Sequence, residues 1–460
     1  MRIKNLNWIV VLVVFFIFSS FKGGKTENYK KIIAPTPTTK KLALEKTKLK
    51  FGFIKLTDMA PLAIAKHLGF FDDEGLDVTL IAQANWTDIL NKVIDDELDG
   101  AHMLAGQPIA AAVGCGRHGE LVTPFSMDLN GNAITVSNEI WSKIKDSLPK
   151  EYRRPVHPIR ADVLKSVVTY YKNKNKPMTM GIVANFSTHN YQLRYWLAAG
   201  GINPGQYHTR NLQGFKGTSG SDIDLNVIAP PRMPEALKAG EVSAYCVGEP
   251  WNQAAVYKGI GVPVITSREI YKNHGEKLFV LTKQFVEKYP NTTIAITKAL
   301  IKAGKWLDDP ENRKEAAKLL SKSAYVDGEK SVVDNSMLGT FEYEKGDVRS
   351  APDFNVFFRH NATYPFYSDG IWYLTQMRRW GQIEEPKPDY WYHEKIKEVY
   401  RPDIWENAAK LLLQEGFLEK QDLPQTDGYR PPSSDFIDNK LYDGKKPVEY
   451  IKSFTVGNNS

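Results

Sequence analysis

Cysteine is nearly absent from this chain: Cys115 and Cys246 are the whole complement of 460 residues. Each lies in an apolar run (AAAVGC and SAYCVGEP), which suits a small buried hydrophobe better than one arm of a disulfide. No Cys/His cluster has the spacing of a zinc site, so neither a metal nor another cofactor is expected. GxSxG, P-loop and HExxH signatures are missing as well, and no catalytic residue is assigned. The basic residues form no stripe interleaved with aromatics, and a net charge of +7 is small for this length, which argues against a nucleic-acid partner. Beyond residue 18, no apolar run approaches the roughly 20 residues that a membrane-spanning helix needs. Short repeats of the solenoid kind are not found.

What the chain does have is enough apolar matter, 42% of residues, to bury more than one core, and a length that fits two or three domains. Residues 1–20 read as an export signal. Arg2 and Lys4 precede the apolar run WIVVLVVFFIF, and Ser19 and Ser20 follow it. An uncleaved anchor is the alternative. Residues 21–47 are Lys- and Thr-rich with Pro35 and Pro37, and read as a polar tether.

From residue 48 the pattern alternates. Strands are expected at 48–54, 76–81 and 101–104, with helices starting near Asp58, at Trp86 and at Pro108. The alternation resumes with a strand at 178–184, a helix over 188–199 stopped by Gly200 and Gly201, and strands at 225–228 and 244–247. This is the signature of α/β architecture with parallel, doubly wound sheets. It divides into a first lobe over 48–140, a second over 141–255 and a return to the first over 256–355. The aromatic and proline-rich remainder, 356–460, reads as an arm packed on the lobes.

The stretches FGFIKLTDMAPLAIAKHLGFFDDEGLDVTLIAQANWTDIL, LDGAHML, LNGNAITVS, FSTHNYQLRYWLAAGGINP, YCVGEPWN, NHGEKLFVL and ATYPFYSDGIWYLTQMRRWGQ occur in that order. Together they resemble the substrate-binding proteins of nitrate and bicarbonate ABC importers. The resemblance implies a two-lobed periplasmic-binding-protein fold with a hinge and a central cleft. It further implies an exported monomer that traps a small anion, nitrate above all, and hands it to a membrane permease.

Nitrate offers three acceptor oxygens and no proton. At a ceiling of about −1.5 kcal/mol per heavy atom, its four atoms give roughly −6 kcal/mol, a dissociation constant of tens of micromolar. Reaching that value takes preorganised, charge-assisted donors. By resemblance, Trp86 contacts the ligand through its indole N–H, with a core tryptophan as the alternative. His189 falls where a helix begins, capped by Ser187 or Thr188, and matches the family's histidine; a structural imidazole is the plain alternative. Asn132 stands where the family places a glutamine amide, one methylene short, and also reads as a turn residue after Gly131. Gly248, at a strand end, lets a backbone N–H approach the anion. Lys277 is the discriminating position: a cation there suits nitrate, whereas the bicarbonate binder carries an acidic residue used with a metal. Glu276 next door means that a slip of one residue reverses that reading.

Two other classes compete. An enzyme would need acid–base groups around His189, and scattered carboxylates are more often a solvated face. An anion-sensing module would keep the same site and change the partner. Within transport, bicarbonate or nitrite can replace nitrate.

Overall fold

The computed structural model describes residues 42–148, 155–207, 210–211, 214–215 and 218–457. The expected export signal, and all of the tether but its last six residues, lie outside them. Two five-stranded sheets organise the chain. The first contains β1 (Lys48–Phe53), β2 (Asp77–Ala82), β3 (Gly100–Leu104) and β4 (Leu121–Ser126). The second contains β5 (Asn132–Ser137), β6 (Met178–Ile182), β7 (Ile223–Val227), β8 (Ala244–Gly248) and β9 (Gly261–Thr266). A tenth strand, β10 (Lys277–Thr282), returns to the first sheet. The strand orders are β2-β1-β3-β10-β4 and β7-β6-β8-β5-β9.

Neither sheet is purely parallel. β1 runs parallel to β2 and β3, and β6 runs parallel to β7 and β8. In each sheet one strand is antiparallel to both its neighbours: β10 in the first and β5 in the second. Both of these strands arrive by crossing from the other lobe. The crossings fall between Ser126 and Asn132 and between Thr266 and Lys277, not near 140 and 255 as the alternation suggested. An apolar period of two says that a strand is buried, but not which sheet receives it.

Local sequence explains the helices that matter for the site. α1 (Ala60–His67) carries Pro61 in its first turn, where no intrahelical N–H is lost. α2 (Trp86–Ile94) is capped by Asn85, whose side chain accepts from the Asp88 N–H. α3 (Thr188–Ala199) is capped by Ser187, which accepts from the Asn190 N–H, and it is buried almost throughout. Gly201, at φ 76°, supplies the left-handed turn that ends it.

The two crossing segments are laced together. Asn130 donates its N–H to the His274 carbonyl at 3.1 Å, and Glu276 donates its own to the Asp128 carbonyl at 3.2 Å. The later chain splints them, because Asn355–Val356 pairs with Leu129–Asn130. α4 (Pro290–Leu307) packs on the first lobe, and α5 (Tyr367–Arg379) is buried over nearly its whole length. Residues beyond 356 feed both cores, with Trp372 and Tyr373 in one and Trp405 in the other. Cys115 and Cys246 are both buried and form no disulfide. Among the described residues no helix is long and apolar enough to cross a membrane.

Candidate functional site

Parallel strands of an open α/β sheet point their carboxyl ends at a common edge, and side chains just beyond those ends converge there. Asp58 lies just beyond β1, and Trp86 opens the helix after β2. His189 is in the first turn of the helix after β6, and Gly248 is the last residue of β8. The antiparallel strands add their first residues at the same edges, since Lys277 is paired with Leu104 and Asn132 with Gly248. The crossing topology therefore brings all five sequence-predicted residues into one cluster.

The cluster is closed to solvent. Trp86 is 3% exposed, and Asn132, His189 and Lys277 are 0% exposed. The Lys277 ammonium lies 5.9 Å from the centre of the Trp86 ring. It is also 2.8 Å from Asp58 Oδ2 and 2.6 Å from Glu276 Oε1. Lys277 is thus neither a surface residue nor a free cation. A Cβ added to Gly248 would come 3.3 Å from Asn132 Oδ1 and 3.5 Å from Asp58 Oδ2, so the glycine backbone lies close beside both side chains.

Several polar atoms here have no partner: Trp86 Nε1, both ring nitrogens of His189, Asn132 Oδ1, Glu276 Oε2 and Asp128 Oδ2. Buried polar groups are satisfied almost everywhere in proteins, so a concentration of orphans around a charged lysine makes this cluster the candidate ligand site. Asn132 differs from the expectation in one respect. Its NH₂ donates to Gln192 Oε1 at 3.2 Å, which leaves the oxygen, not the amide N–H, unpartnered. Gln192 in turn lies 2.7 Å from His274 Nε2. Rotating the Asn132 amide by half a turn would present its NH₂ at the site only if Gln192 turned with it, because Asn132 Oδ1 would otherwise face the Gln192 Oε1 acceptor.

Sequence reasoning did not assign Asp58, His102, Asp128, Gln192 or His274, and it took Glu276 only as a hazard of register. His102 is a histidine within the fully buried strand β3, and that oddity was its one available signal. Its Nδ1 accepts from the Ile54 N–H at 3.4 Å, which puts the proton on Nε2, 2.8 Å from Asp58 Oδ1. Burial opposes ionisation of Asp58, but Lys277 and His102 outweigh it and hold the carboxyl well below the usual range. Burial also opposes the charge on Lys277, yet Asp58, Glu276 and Asp128 raise its pKa above the ordinary value. Burial and the neighbouring Asp58 push Asp128 well above the carboxylate range, and burial carries Glu276 up to about 7 against the pull of Lys277. Burial and Lys277 keep His189 neutral, so it can donate from one ring nitrogen.

Glu249 joins the lobes from one side, its carbonyl accepting from the Thr57 N–H at 2.9 Å. Its side chain accepts from the Gln253 N–H at 3.1 Å, and burial pushes its carboxyl up from 4.5 to about 8. A carboxyl raised in the folded state favours folding below its unfolded pKa, and that contribution is lost as pH rises through about 8. E249Q is accordingly expected to keep its melting temperature between pH 5 and 8.5 better than the wild type. Equal losses in the two proteins would show that this carboxyl does not titrate there.

Comparison with known proteins gives the family and the fold. Residues 42–321 match the model of the NMT1-like family. The chain is 32% identical over 424 residues to the nitrate/nitrite binding protein NrtA of Nostoc, covering 90% of this chain and 87% of that protein. It is 36% identical to the nitrate import ATP-binding protein NrtC of Synechocystis, but spans only 56% of that longer protein. The crystal structure of the periplasmic nitrate-binding protein NrtA from Synechocystis superposes with a TM-score of 0.78 at 27% identity, over 90% of this chain and all of that one. The two lobes are those of a periplasmic binding protein, and the chain belongs to the NMT1-like family and to the NrtA family of nitrate/nitrite-binding proteins.

Proposed function

We propose that this protein is an extracytoplasmic receptor that captures nitrate, or nitrite, between its lobes and delivers it to the permease of an ABC importer. The observation that carries this reading is the set of orphaned donors on Trp86 and His189 in the same buried cluster as the Lys277 ammonium. Trp86 and Lys277 approach from the first lobe, His189, Asn132 and Gly248 from the second. An anion touching both sides favours the closed arrangement by its differential contacts with it. Exclusion of water strengthens each charge-assisted bond. The receptor performs no chemistry itself, acts as a monomer in the periplasm, and engages the permease when closed on its ligand.

One feature favours a second reading. Glu276 is a buried acceptor within the cluster, and bicarbonate, unlike nitrate, has an O–H to give it. Calorimetric titration separates the two. Nitrate is expected to bind with a dissociation constant of tens of micromolar or below, without metal. Silence toward nitrate with calcium-dependent binding of bicarbonate would keep the receptor and overturn the ligand.

A further inference from the structure

An anion site with three carboxylates and one lysine is electrostatically awkward, and the awkwardness converges on Glu276. Its side chain is 0% exposed. Oε1 takes the Lys277 ammonium at 2.6 Å and lies 3.7 Å from His189 Nε2, while Oε2 has no hydrogen-bond partner and lies 3.8 Å from His274 Nδ1. Lys277 is already neutralised by Asp58, so an ionised Glu276 gives the group a net negative charge, 3.7 Å from the His189 ring that would donate to nitrate. We propose, on the reading that nitrate is the ligand, that Glu276 makes capture proton-linked: the site takes the anion with Glu276 protonated and rejects it with Glu276 ionised.

Protonation changes the carboxyl from a repelling acceptor to a donor, and the unpartnered oxygen can then give its hydrogen to a nitrate oxygen. One proton from solvent enters with each anion, and the cluster's net charge stays constant. The groups facing Glu276 leave it as the one that switches near neutrality. From its own strand and the turn before it come Lys277, which stays charged, and His274, which burial keeps neutral down to about pH 3. From α3 come His189, held neutral by burial, and the Thr188 hydroxyl. Asp58 stays ionised and Asp128 stays protonated, the latter through burial and the charge of Asp58. Tyr373 of α5 and Cys246 of β8 also feel its charge, and burial raises both far above neutrality. The carboxyl of Glu276 itself sits at about 7.

Nitrate titration by calorimetry at pH 6, 7, 8 and 9, in two buffers of different protonation enthalpy, tests this. The wild type is expected to take up close to one proton per nitrate at pH 8 and 9 and close to none at pH 6. Its dissociation constant should rise about tenfold per pH unit above the midpoint. E276Q, which cannot ionise, should show a flat profile and bind more tightly than the wild type at pH 9. A flat wild-type profile without proton uptake overturns the proposal, as does a slope that persists in E276Q. The wild-type proton count decides the matter even if the variant folds poorly. Failure to bind nitrate at every pH would instead overturn the functional reading, and this proposal with it.

Discussion

Replacing Lys277 with methionine is expected to abolish nitrate binding and to destabilise the fold by about 3 kcal/mol. The ammonium holds Asp58 at 2.8 Å and Glu276 at 2.6 Å, and all three side chains are almost wholly buried. Removing one member of a buried charge cluster leaves its partners uncompensated, which typically costs about 3–5 kcal/mol. Neutralisation of Glu276 by a proton limits the loss, and so the lower end of that range is expected. On the proposed function the anion loses the cluster's charged lysine at the same time. K277M/D58N separates the two effects, because it removes the stranded carboxylate and should recover much of the stability but none of the binding. Retention of nitrate affinity in K277M would remove Lys277 from the site, whatever became of the stability.

Trp86 gives the second large effect. Its ring packs edge-on against His102 at 5.4 Å between centroids and is nearly wholly buried. Trp86→Ala empties that volume and is expected to cost about 3–5 kcal/mol, so loss of binding there would not distinguish a ligand contact from a damaged core. Trp86→Phe is the informative change. It keeps most of the ring and deletes an indole N–H that has no partner in the protein. A hydrogen bond to a charged group contributes about 1.5–3 kcal/mol, so affinity should fall by about 10- to 150-fold. The thermal midpoint should move little, since deleting an orphaned buried donor offsets part of the lost packing. Unchanged affinity with a lowered midpoint would assign Trp86 to the core.

These two residues also show how far the sequence carries. Trp86 was singled out through the family resemblance, and His189 through the same resemblance together with its place behind the capping residue Ser187; the cap at Asn85 that sets Trp86 at its helix start is seen only in the structure. The strands themselves were legible because they are short apolar runs. Asn132–Ser137 and Gly261–Thr266 show the limit. Asn132–Ser137 is not read as a strand at all, and even a strand that is read does not name its sheet, since partner choice is a long-range matter; both belong to the second sheet. Lys277 was found through its motif, yet its surroundings were not. Asp58, Asp128 and Glu276 look like ordinary polar residues in the chain. Only the antiparallel entry of β10 places the last of them, with Lys277, against Asp58 at the end of β1. The surroundings of Asn132 were hidden for a related reason. Its shortened amide is met by Gln192, four residues into α3, which no local pattern connects to it.

The enclosed cluster as an anion trap is the centre of the account, and a crystal structure of the protein grown in nitrate examines it most directly. A planar anion within hydrogen-bond reach of Trp86 Nε1, His189 and Lys277 Nζ, with the lobes closed as here, is the predicted result. Nitrate found elsewhere, or none in the cluster at a concentration that saturates binding in solution, would contradict it.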